Sequence, residues 1–473
     1  MLFDTPVFFV FLVLVVACYW RFGWRRQNIL LVIASYFFYG WWDWRFLSLI
    51  FISTVVDFFC AKNIAASSRP LRRRTLLIVS VALNLGFLGF FKYFNFFADS
   101  LAAAFATLGI TVHVTALRIL LPPGISFYTF QALAYMVDVY FGRIAPAESL
   151  LDYALFINLF PHLIAGPIQR PSHLLPQIQS PRIFNNQKFV EGVMLILSGL
   201  FRKCVIADNC ALLANAAFNG KMGEPNVAIV ALGTYAFAWQ IYGDFSGYSD
   251  MARGAAQLLG FHFVVNFRQP YLATSLQDFW RRWHISLSTW LRDYLYIPLG
   301  GSRNGEGQTY RNLMATMLLG GLWHGANWTF VFWGAIHGLG LSIERAFRNV
   351  FSARLSTSTG SGLAGRWLAR IFIFHLVCLA WIFFRAPSFH DAVHFIGGLR
   401  VFQWSPEFVT AFVFLALFSV PLFLMDLCLE AREEEFLFQK TPVQAQMAYA
   451  SALVMVVAFF AANEANAFIY FQF

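Results

Sequence analysis

Apolar runs long enough to cross a bilayer recur along the chain, interrupted in its middle third and largely unbroken outside it. A spanning helix needs about 20 apolar residues at a rise of about 1.5 Å each. Uninterrupted runs lie near 5–20, 28–43, 46–60, 75–96, 226–243, 367–385, 407–428 and 443–461, with less clean ones near 124–140, 150–165, 189–206 and 312–341. The pattern predicts an all-α integral membrane protein with roughly ten to twelve passes. Between about 120 and 345 the runs are broken by Pro122, Pro123 and Gly124, by Pro161, Gly166 and Pro167, and by Asp138, Asn158, Asp244, Ser246 and Asp250. Broken helices at membrane depth are tolerated only where they are buried in protein or line a wet cavity. Polar side chains there mark function by default. The chain therefore reads as one polytopic domain, 1–473, with scaffold spans over 1–119, a catalytic core over 120–345 and scaffold spans over 346–473. No internal repeat is visible, and the one low-complexity stretch is a short loop at 354–365.

Composition sharpens this picture. Hydrophobic residues make up 59% of the 473 and charged residues 12%, with a mean hydropathy of +0.60. A soluble domain carries about a quarter charged residues, so too little polar surface is available to coat this chain in water. Aromatics reach 19%, with 56 Phe and 15 Trp, which suits lipid-facing helices with interfacial anchors. The net charge of +10 does not point to nucleic acid, because the basic residues sit between apolar runs rather than along one stripe. Arg21, Arg25 and Arg26 follow the first run, and Lys62, Arg69, Arg72, Arg73 and Arg74 follow the third. The loop after the second run sets only Arg45 against Asp43. Alternation of basic loops places the first and third loops in the cytoplasm and the N-terminus outside. The opening MLFDTPVFFVFLVLVV lacks the basic start of a cleaved signal, so the first run is expected to stay as a span. Six Cys without a CxxC pair read as small core residues rather than a disulfide scaffold or metal site.

Two segments carry candidate chemistry. In QDFWRRWHISLSTWLRDYLYIPLGG (277–301), helical spacing puts Arg281, His284, Ser288 and Arg292 on one face within an arc of about 80°, opposite Trp283, Leu287, Trp290 and Tyr294. One reading is an interfacial helix with snorkelling arginines. The other is that Arg281 and Arg292, with Arg303 on the following loop, meet an anionic ligand such as a coenzyme pyrophosphate, which guanidinium forks suit. In MLLGGLWHGANWTFVFWGAIHGLGLSIER (317–345), His324 lies inside a run apolar enough to span, with Asn327 and Trp328 on its helical face and Gly320, Gly321 and Gly325 around it. Burial favours the neutral imidazole, which can accept a proton from an attacking hydroxyl or thiol. A lone histidine in a span is ordinarily a core residue bonded to a carbonyl; here the Asn, the Trp pair and the glycines favour function. Asn327 or Trp323 could supply an oxyanion donor. On a straight helix His337 faces about 140° away and reads as structural. Asp244 and Asp250, close to Arg253, read as structural partners. His113, His162, His173, His262, His375, His390 and His394 show no metal-binding spacing.

These strings resemble the membrane-bound O-acyltransferases, specifically the bacterial alginate O-acetyltransferase branch. The resemblance runs in order through GISFYTFQALAYMVDVYFG (124–142), LFPHLIAGPIQR (159–170), YGDFSGYSDMARGAAQLLGF (242–261), NFRQPYLATSLQDFWRRWHISLSTWLRDYLYIPLGG (266–301) and GGLWHGANWTFVFWGAIHG (320–338). It implies a ring of helices around a thinned, funnel-like core, with His324 of WHG catalytic and His284 of RRWH the second functional position. It also implies a cytoplasmic acyl donor, acetyl-CoA, an extracytoplasmic polysaccharide acceptor, and a separate periplasmic partner of the SGNH-hydrolase type. Rival readings are a D-alanyl transferase acting on teichoic acid and a transporter of polysaccharide or lipid intermediates, although transporters of that design show matched halves.

Overall fold

In the computed structural model the apolar runs fold as helices, and no strand occurs among the described residues. Those residues are 1–111, 117, 119–164, 166–355, 362–462, 468 and 469, with the side chains of 350–355 not included. His113 and residues 356–361 of the low-complexity loop lie outside them. Among the described residues five helical stretches are long and apolar enough to cross a membrane: Trp44–Ala66, Pro70–Thr107, Leu363–Arg385, Pro406–Arg432 and Val443–Phe460. Pro6–Tyr19 is a shorter apolar helix. The other expected passes are shorter or more polar. Trp24–Gly40 has 17 residues, Val227–Leu258 is long but carries Asp244, Asp250 and Arg253, and 312–341 is two helices rather than one.

The chain divides into two compact units, one of residues 1–193 and 252–264, the other of 194–251 and 265–473. The first unit is held by polar side chains inside its helices as much as by apolar packing. Asp57 is buried on Leu47–Ala66. It accepts hydrogen bonds from the Ser80 hydroxyl, from Asn84 Nδ2 to both oxygens at 3.1 and 3.0 Å, and from the Tyr153 hydroxyl at 3.3 Å. Three helices are thereby tied to one carboxyl group. Interhelical hydrogen bonds in lipid contribute about 0.6 kcal/mol on average and up to about 1.7 kcal/mol each. Replacing Asp57 by Ala is therefore expected to cost about 2 kcal/mol, read as a lower unfolding temperature of the purified protein; an unchanged transition would contradict this staple. Pro122 and Pro123 end the preceding segment, and Gly124, at φ +74°, opens the helix Ile125–Tyr140. A Cβ there would lie 2.4 Å from the Leu163 carbonyl oxygen, so only glycine fits.

The second unit has a charged core. Arg202 and Lys203 lie in a π-helical stretch, Phe201–Ala207, and are buried. Lys203 Nζ is 2.8 Å from Asp208 and 2.9 Å from Asp244, and Arg202 is 3.2 Å from Asp250 and 4.0 Å from Asp426. Asp244 and Asp250 thus serve structure, but through Lys203 and Arg202, two partners the sequence did not single out. Buried charges persist only when paired in this way.

Candidate active site

The segment from 277 to 301 is not the single amphipathic helix its periodicity predicts. Ser275 caps a first helix, Leu276–Arg282, its hydroxyl accepting from the Asp278 amide. Trp283 is extended, His284 is left-handed at φ 43° and ψ 54°, and a second helix, Ile285–Leu291, follows. A non-glycine residue in the left-handed region is uncommon and is sustained only by its surroundings. Here Asn266 supplies them. Its backbone carbonyl accepts from the Ile285 amide at 2.9 Å. Its side-chain Oδ1 accepts from the Ser286 amide at 3.1 Å and the Ser286 hydroxyl at 2.9 Å, and stands 3.2 Å from His284 Nδ1. The break dissolves the shared face expected for Arg281, His284, Ser288 and Arg292. Arg281, Arg292 and Arg303 are exposed, and Arg292 pairs with its neighbour Asp293 at 2.7 Å. The half-buried arginine is Arg282, which bridges Asp278 at 2.8 Å and Glu430 at 3.2 Å.

The second segment is a helical hairpin. Its first arm, Glu306–His324, ends at His324, and its second, Trp328–Leu355, begins four residues later. Glycines let the two backbones touch. A Cβ on Gly321 would sit 2.2 Å from the Phe330 carbonyl oxygen, and one on Gly334 2.2 Å from that of Met317. At the tip, a Cβ on Gly325 would strike the Phe330 ring at 2.1 Å. Asn327 caps the second arm: Oδ1 accepts from the Thr329 amide at 3.0 Å while Nδ2 donates to the Pro387 carbonyl at 3.0 Å. Asn327 and Trp328 therefore do not share a helical face with His324. The Asn327 amide is committed to the turn, which argues against its use as an oxyanion donor, and Trp328 is 59% exposed.

The two segments meet in a box of aromatic rings. The His324 ring lies 6.4 Å from that of His284, 5.0 Å from Trp323, 5.1 Å from Trp333 and 5.4 Å from Phe384. His284 stands edge-on to Phe245 at 4.6 Å and 5.9 Å from Trp323. Both histidines and Trp323 are at least 97% buried. Burial pushes the His284 imidazole down to about 3, so it is neutral at ordinary pH. His337 joins the same box, 4.8 Å from Trp333 and 5.1 Å from Trp280. Among the described residues neither of its ring nitrogens has a hydrogen-bond partner. The straight-helix reading had turned His337 away, but the chain reverses at 325–327 and brings it back. Asn327 was the available signal, since Asn is a favoured helix N-cap. The result is two buried imidazoles set edge-on to one another, His284 neutral, of the residue type that can take a proton from a hydroxyl and return it to a leaving group.

Comparison with known proteins agrees with this chemistry. The family described as MBOAT, membrane-bound O-acyltransferase family, matches residues 146–384, a span containing His284, His324 and His337. The chain is 42% identical to the probable alginate O-acetylase of Pseudomonas putida over 85% of its own length and 81% of that protein. To the probable alginate O-acetylase of Pseudomonas aeruginosa it is 45% identical over 83% and 73%. To the peptidoglycan O-acetyltransferase of Helicobacter pylori it is 35% identical over 84% and 80%. The chain belongs to the membrane-bound O-acyltransferase family and is a multi-pass membrane O-acyltransferase.

Proposed function

We propose that the chain moves acetyl from acetyl-CoA on the cytoplasmic side of a bacterial inner membrane toward hydroxyls of an extracytoplasmic polysaccharide, alginate or a related polymer, with its N-terminus in the periplasm. A periplasmic SGNH-hydrolase-type partner completes transfer to the polymer. The observation that carries the reading is the pair of buried imidazoles, His284 and His324, edge-on to one another with ring centres 6.4 Å apart in a box of aromatic rings. The alternating basic loops support the orientation, and the substrates named for the relatives support the polymer.

In this mechanism His324 accepts the proton of the attacking hydroxyl. The freed oxygen pair forms a bond to the thioester carbonyl carbon, the carbon–sulfur bond breaks, and the imidazolium returns its proton to the departing thiolate. His284 acts as the second position, facing the same centre. A box without water protects the thioester from hydrolysis and strengthens the polar interactions inside it.

The test supplies radiolabelled acetyl-CoA to the purified chain with an SGNH-type partner and a deacetylated glycan. Label is expected to pass to the glycan and to stop when His324 is replaced. Glycan crossing vesicles without any donor would instead identify a transporter. Dependence on an aminoacylated carrier protein, with acetyl-CoA inert, would identify a D-alanyl transferase.

A further inference from the structure

We infer that Asn266 is a positioning residue that fixes the tautomer of His284, holding the proton on Nδ1 and the lone pair on Nε2. The inference rests on the reading of His284 as functional, and on hydrogen-bond valence.

An amide side chain has one end that accepts and one that donates, and the two can be told apart only by what they face. The Asn266 end assigned as Oδ1 lies 3.1 Å from the Ser286 backbone N–H, a group that can only donate. That end is therefore the oxygen. The same oxygen is 3.2 Å from His284 Nδ1. An amide oxygen cannot donate, so Nδ1 must carry the hydrogen, and a neutral ring with Nδ1–H keeps its lone pair on Nε2. The other end, Nδ2, donates to Ser249 Oγ at 3.2 Å, which holds the amide plane. Asn266 is 1% exposed, and its backbone carbonyl also takes the Ile285 amide. One residue thus sets the left-handed backbone of His284, the plane of its ring and the position of its proton.

The surroundings make the assignment consequential. The ring faces Phe245 from the long helix, Phe267 beside Asn266, and Trp323 and His324 from the hairpin. Among these four rings His324 is the one titratable group. A general base in this box needs its lone pair to be on the nitrogen turned from Asn266, and this tautomer provides it. The wrong tautomer in a comparable base costs about 10⁴-fold in turnover.

The test uses the full chain in nanodiscs with ¹⁵N-histidine labelling, the His284 signals being identified by their loss in His284→Gln. In the parent protein Nδ1 is expected to give the protonated-type signal and Nε2 the unprotonated type. Asn266→Asp keeps an acceptor facing Nδ1, so the tautomer should persist. Its negative charge should also shift the protonation of His284 to higher pH by at least about one unit, since an opposite charge within reach favours the charged ring. Asn266→Leu, which matches the volume but cannot accept, should mix or reverse the two nitrogens. Opposite signals in the parent, an unchanged ratio in Asn266→Leu, or no titration shift in Asn266→Asp would each overturn the inference. Polymer acetylation is measured alongside in cells. Full acetylation by His284→Ala would remove the functional reading of that histidine while leaving the tautomer result standing.

Discussion

His324→Ala should reduce acetylation of the exported polymer by about 10³-fold while the protein still inserts and purifies folded. The size follows from the usual contribution of a positioned general base, about 10²- to 10⁴-fold. His324 ends the first arm of the hairpin, is 97% buried and faces His284 at 6.4 Å. Its loss therefore removes a proton acceptor rather than a surface contact. The measurement is the acetyl-ester content of polymer from cells carrying the variant at matched membrane abundance. Full ester content with His324→Ala would end the mechanism, because it gives the proton transfer to this one imidazole among Trp323, Trp333 and Phe384.

Gly334→Ala should be nearly as damaging, for a reason unconnected with proton transfer. The added methyl would meet the Met317 carbonyl oxygen at 2.2 Å and its carbon at 2.9 Å, both rigid backbone, so the arms must separate. Overpacking of this kind typically costs about 1–3 kcal/mol, and the displacement falls one residue from Trp333, whose ring flanks His324. Gly307→Ala is the control: it lies on the first arm with nothing within 4 Å of the new methyl, and alanine is the better helix former. Thermal unfolding of the two variants should differ clearly, with activity lost only for Gly334→Ala. Equal transition temperatures would mean that the close crossing contributes little to the hairpin.

Much of the scaffold was legible in the sequence because a span is a composition before it is a geometry. Runs such as 407–428 and 443–461 are predominantly apolar, and they fold as Pro406–Arg432 and Val443–Phe460. The core was harder because its decisive features are breaks that leave the local composition unchanged. Nothing in RRWHIS announces that His284 will be left-handed; that state is imposed by Asn266, 18 residues upstream. Periodicity assumes a continuous helix, and for 277–301 that assumption turned an exposed Arg281 and Arg292 into a shared face with His284. In the hairpin the same assumption hid the turn, although Gly325 and the N-cap Asn327 were in view. It set Trp328 on the His324 face and His337 on another, whereas Trp328 is exposed and His337 shares the aromatic box with His324. The family strings drew attention to His324 and His284, and the tertiary fold brings those two rings together and supplies their neighbours.

The cations Arg202 and Lys203 and their partners Asp244 and Asp250 have a bearing on how the chain is made. The cations precede a turn near 219–226, and Asp244 and Asp250 follow it; Asp208 offsets Lys203 on its own side, so the first segment is left with the charge of Arg202 and the second with that of two carboxylates only partly offset by Arg253. Arg or Lys at the centre of a helix costs about 2.5–3.5 kcal/mol on translocon insertion scales. Neither segment is a good passenger by itself, and the ion pairs make them a joint one. Synthesis should hold the first helix in the aqueous pore of the insertion machinery until the second emerges, with the pair released into lipid as a unit.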